Sequence, residues 1–186
     1  MKKFIKIFSE IFISSLLFIF IFSGNLWSLG MELNSPLPGI DLGYFSPGQR
    51  KYLQPSECVI ITVDNSSDSH GFVVKILNSN TPPKGLVLEG NPDFYVECSD
   101  SKPNFVYHAT ASSSTPPVTA TRGGYLANDK GVLKPGVEYL VYQGAAYENL
   151  TITFYFDLFM PFKINDQITP FGKYSTTVII SVIQNT

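Results

Sequence analysis

Between Leu150 and Met160 the chain alternates without a break. Leu150, Ile152, Phe154, Phe156, Leu158 and Met160 take one parity, and Thr151, Thr153, Tyr155, Asp157 and Phe159 take the other. In extended backbone successive side chains point to opposite faces, whereas an α-helix groups residues three and four apart. The period of two therefore predicts an eleven-residue strand with six apolar residues on one face. Such a face must be covered, and a second layer of sheet is the simplest cover.

Other segments repeat the device. Tyr174, Thr176, Val178, Ile180 and Val182 share a parity, and β-branched residues fill most positions from Tyr174 to Val182, which predicts one long late strand. Val59, Ile61 and Val63 lead through Asp64-Asn65-Ser66-Ser67-Asp68-Ser69 to Phe72, Val74 and Ile76, which reads as two strands in a hairpin-like unit. Further candidates are Val137 to Gln143, Phe105 to Ala109 and Ile40 to Phe45. Proline sits beside turn residues at Asn80 to Gly85, Asn91 to Asp93, Lys134 to Gly136 and Thr169 to Gly172, where the missing N–H ends a ladder. The segment Ala109 to Thr121 is small, uncharged and proline-bearing, and is expected to be an exposed loop. No stretch after Phe22 keeps a helical period, so about seven to nine short strands in an all-β sandwich or barrel are expected.

The N-terminus is built differently. Lys2, Lys3 and Lys6 precede the apolar stretch Ile11 to Phe22, and Ser28-Leu29-Gly30 places small residues at a cleavage position. This is the pattern of an export signal over residues 1–30, followed by one domain over 31–186. Export implies a secreted, periplasmic or cell-surface location and no stable membrane span once the signal is removed. It also places Cys58 and Cys98 outside the reducing cytosol, where a disulfide between them is expected. Closing that loop would contribute about 4 kcal/mol.

Charged residues make up 15% of the chain, below the roughly 25% usual in soluble domains, and Lys plus Arg (13) do not exceed Asp plus Glu (15). With no basic run, nucleic acid is not an expected partner. His70 and His108 lie in no metal-ligand spacing, and no nucleophile elbow, phosphate loop or dinucleotide fingerprint occurs. Neither catalysis, nor a metal, nor any other cofactor is expected. Asp64, Asn65, Ser66 and Asp68 read as a turn instead of a calcium loop, and nothing pairs Glu89, Asp93, Glu97 and Asp100 as hydrolytic carboxylates. Aromatic residues remain, 15 Phe and 10 Tyr among them. Strand alternation can turn some outward, and Tyr139, Tyr142 and Tyr155 are the candidates for a recognition patch.

The ending Gly172-Lys173-Tyr174-Ser175-Thr176-Thr177-Val178-Ile179-Ile180-Ser181-Val182 resembles the closing Gly-x-Tyr strand of secreted bacterial immunoglobulin-like and pilin-like sandwiches, including spore coat U type subunits. The entry Ile40 to Gly48, followed by Val59 to Ile76, is similar to their first strands. The resemblance covers about a third of the chain and rests on alternating strands, a shared pattern. It implies an antiparallel immunoglobulin-like β-sandwich serving as a non-catalytic extracytoplasmic structural or adhesive module that binds another surface protein or a glycan. It also marks Met31 to Asp41 as a candidate arm for strand addition. The competing expectation is a small eight-stranded outer-membrane β-barrel with Leu150 to Met160 facing lipid.

Overall fold

A computed structural model describes residues 29–34, 44–52, 58–114 and 123–185. The expected export signal up to residue 28, the strand start at Ile40 to Gly43 and most of the proline-bearing segment after Ser114 lie outside the described residues.

Among the described residues the fold is all-β and antiparallel throughout its paired strands. In chain order the strands are β1 (Gly30–Asn34), β2 (Arg50–Tyr52), β3 (Val59–Asp64), β4 (Phe72–Asn78), β5 (Lys84–Leu88), β6 (Asn91–Glu97), β7 (Phe105–Ser113), β8 (Tyr125–Leu126), β9 (Lys130–Val132), β10 (Glu138–Gly144), β11 (Asn149–Phe159), β12 (Lys163–Ile164), β13 (Gln167–Ile168), β14 (Tyr174–Ser175) and β15 (Val178–Gln184). Nine have five residues or more, in line with the expected number. The other six are two- and three-residue pieces, too short for a period to show in the sequence.

Two larger sheets enclose the core. One runs β1-β3-β11-β7-β9, with β2 pairing the far end of β11, and the other runs β15-β4-β10-β8. A three-stranded sheet, β14-β5-β6, and the β12-β13 hairpin complete the fold. The apolar parity of β11 is buried: Leu150, Ile152, Phe154, Phe156 and Leu158 join Ile61 and Val63 of β3 from one sheet with Phe72, Val74 and Ile76 of β4 from the other. The strand therefore turns its greasy side into protein, as layered sheets require and as a lipid-facing strand would not.

Three local expectations are corrected. β3 and β4 do not form a hairpin, because β3 pairs with β1 and β11 while β4 pairs with β10 and β15. Residues 65–71 are a corner between sheets. There the buried Asn65 donates from Nδ2 to the carbonyls of His70 (2.9 Å) and Ala145 (3.1 Å). Asp64 accepts from the Ser66 N–H and hydroxyl, Asp68 accepts from the His70 N–H, and these bonds hold both carboxyls below the ordinary carboxylate range. The ending is likewise not one strand. β14 pairs with β5, the chain steps at Thr176-Thr177, and β15 pairs with β4 in another sheet. Finally, β7 continues to Ser113 beyond the apolar stretch, because its small residues Ala109 to Ser113 pair with Leu150 to Phe154 of β11.

The expected disulfide is absent. Cys58 and Cys98 are both buried, and no disulfide joins them. Cys58 leads into β3 in the six-stranded sheet, whereas Cys98 follows β6 in the three-stranded one, packed so closely that a Cβ on Gly85 would stand 2.5 Å from its own Cβ. The Cys98 thiol donates to the carbonyl of Phe105 at 3.4 Å, and burial pushes its pKa up to about 11.

Candidate binding surface

The three tyrosines expected to share an exposed patch do not share one. In a regular strand, residues three apart such as Tyr139 and Tyr142 face opposite sides. The pairing of β10 with β4 shifts between Leu140 and Tyr142, so that Tyr139 lies opposite Ile76 and Tyr142 opposite Val74, both inward-facing partners. The bulge turns both tyrosines toward the core. Tyr142 is 2% exposed, and its hydroxyl donates to Oε1 of the fully buried Glu148 at 2.5 Å, whose Oε2 accepts from the Ala145 N–H at 2.7 Å. Burial first, and the Glu148 bond second, hold the Tyr142 phenol well above its ordinary pKa. Tyr139 is half-buried with its ring 6.0 Å from that of Tyr107, whose phenol burial pushes up to about 12. Tyr155 is half-buried on the parity of β11 that faces away from the core.

His70 bonds through Nδ1 to Asp68, and His108 lies half-buried on β7 opposite Tyr155. Glu97 pairs with Lys102 and Asp100 with Lys134, not with one another.

Exposed aromatic residues collect elsewhere, on two laced segments. Phe45 N–H donates to Gly172 O at 2.9 Å and Gly172 N–H returns a bond at 3.3 Å; farther along, Gly48 N–H donates to Met160 O at 2.9 Å and Met160 N–H to Gln49 O at 2.8 Å. Phe45 and Met160 are fully buried and anchor the segments, while their neighbours point outward. A Cβ at Gly172 would stand 2.6 Å from Leu88 Cδ1, so a larger residue at the crossing would need that side chain to turn aside. Across it Tyr44 (59% exposed) and Phe171 (66%) stack with centroids 5.3 Å apart and planes 13° from parallel, and the Lys173 ammonium lies 5.6 Å from the Tyr44 ring.

The adjoining β12-β13 hairpin adds two more exposed apolar residues. Ile164 pairs with Gln167, leaving Asn165-Asp166 as a two-residue turn with φ of 48° and 63°. That is the left-handed pair a tight hairpin needs, and Asn and Asp tolerate it. Thr169, buried, closes the base through its hydroxyl to Pro161 O and its N–H to Phe162 O at 3.0 Å. Phe162 and Ile168 flank that base, 61% and 63% exposed. Near the end of β11, Arg50 forks onto the buried Asp157 (Nε to Oδ1 2.9 Å, Nη2 to Oδ2 2.5 Å) and covers the exposed Tyr52 ring at 5.1 Å. Sequence reasoning named aromatic stacking as the lead but chose residues on long strands. The usable signal was aromatic residues beside Pro and Gly, as in Thr169-Pro170-Phe171-Gly172.

Neither family models, nor curated proteins, nor solved structures match this chain. Among the described residues no helix is long and apolar enough to cross a membrane.

Proposed function

We propose that this chain is a non-catalytic extracytoplasmic structural or adhesive module that holds a glycan or a surface protein against the aromatic surface of Tyr44 and Phe171. The reading is supported above all by the stacked, solvent-facing pair with a cation beside it. Two rings already fixed against each other offer a flat apolar platform at little further entropic cost, which suits the C–H face of a sugar or an apolar side chain of a partner. The basic and apolar leader over residues 1–30 is read as the export signal, and cleavage after Gly30 would leave Met31 to Asn34 in place against β3. The immunoglobulin-like, spore coat U type resemblance of the chain agrees with such a role.

Glycan-array and surface-protein binding of the exported chain tests this. Tyr44→Ala and Phe171→Ala are each expected to weaken binding roughly tenfold or more, since each removes half of the stack. Binding unchanged in both variants would overturn the site, and retention of residues 1–30 in the mature protein would overturn the cleavage.

A further inference from the structure

Strand β15 closes the four-stranded sheet, and among the described residues only β4 pairs with it. Free strand edges are commonly blunted by charge, proline, a bulge or brevity. This edge has none of these: β15 is seven residues long, keeps unbroken register with β4, and no residue from Tyr174 to Asn185 is charged or Pro. Its core-facing residues Val178, Ile180 and Val182 pack against the interior, while Ile179 and Ile183 stand 46% and 45% exposed.

The bonds at its two ends fix which backbone groups are unused. Ser79 N–H donates to Thr177 O and Asn185 N–H donates to Gly71 O, so odd-numbered residues turn their polar groups toward β4. By the alternation of an antiparallel ladder, Val178, Ile180, Val182 and Gln184 turn theirs to the open side. We propose that two copies of this chain join through β15, antiparallel, about a two-fold axis at Ser181. In that register Val178 faces Gln184 of the second copy and Ile180 faces Val182, which are the residues whose N–H and C=O groups point outward, so each such pair exchanges two ladder bonds. The same register sets Ile179 beside the other copy's Ile183 on the outer face, where their neighbours on β4 are Leu77 and Val73. Four exposed isoleucines are covered at once. A strand without charge meets itself without repulsion, and the charges beside it are already partnered: Lys75, opposite Ser181, pairs with Glu138 at 2.7 Å, and Asp68, which accepts from the Gln184 side chain, also bonds His70. The contact is isologous and closes at two copies, joining two four-stranded sheets into one of eight.

Sedimentation over a concentration series, with the protein as its expressing cell processes it, tests the pairing, alongside amide exchange of Ile180 and Val182. The expected result is a monomer–dimer equilibrium in which those two amides exchange fast in dilute protein and slow in concentrated protein. Ile179→Lys places a cation beside an exposed isoleucine and removes apolar cover, and should weaken association roughly tenfold or more. Adding Ile183→Glu to it sets opposite charges across the axis at both positions and should restore association. Both changes are at exposed positions, so folding is spared and is verified by the melting transition. A monomer at every concentration, or association that Ile179→Lys leaves unmoved, would overturn the proposal. Slow exchange of both amides in the dilute monomer would overturn it too, by showing the edge covered by the same chain.

Discussion

The middle of β11 and the end of the molecule around Phe171 are both rich in large apolar side chains, yet one is buried and the other is not. Along β11 a complete second sheet lies across the strand, so every second side chain enters the core. Around Tyr44, Phe162 and Phe171 the chain runs in bridges and two-residue strands, and no second layer extends over it among the described residues. Hydrophobicity sets what a side chain gains from burial. Whether it is buried depends on the layer opposite, and that separates a core from a binding surface.

The contrast can be broken most sharply at Phe154, which is fully buried. Phe154→Ala is expected to cost about 3–5 kcal/mol in urea unfolding, the sum of lost transfer energy and the cavity left behind. Next in size is Glu148→Ala, which strands the Tyr142 hydroxyl and the Ala145 N–H in the interior and should cost about 1–3 kcal/mol by the same measurement. Smallest is Phe171→Ala, whose side chain stands mostly in water and should shift stability by about 0.5 kcal/mol or less. Should Phe171→Ala unfold the protein as readily as Phe154→Ala, the aromatic end is part of the core and the comparison fails.

Much of the fold was legible where the pattern was long. Leu150 to Met160 read as an eleven-residue strand, and β11 occupies Asn149–Phe159. Val137 to Gln143 read as a strand, and β10 occupies Glu138–Gly144. What stayed hidden were single-residue events that parity cannot register. One bulge on β10 turned Tyr142 inward, one step at Thr176-Thr177 moved the ending between sheets, and the corner at 65–71 sent β3 and β4 to different sheets. The aromatic surface was missed because Tyr44 and Phe171 lie beside a single bridge, outside any repeating pattern.

Thiol labelling along β11 tests the layered arrangement most directly, because the native Cys58 and Cys98 are buried. The thiol introduced by Ile152→Cys should react only when the fold opens, roughly a hundredfold or more slower than the thiol introduced by Thr153→Cys on the outer parity. Equal rates, or faster reaction at position 152, would contradict burial of that face between two sheets.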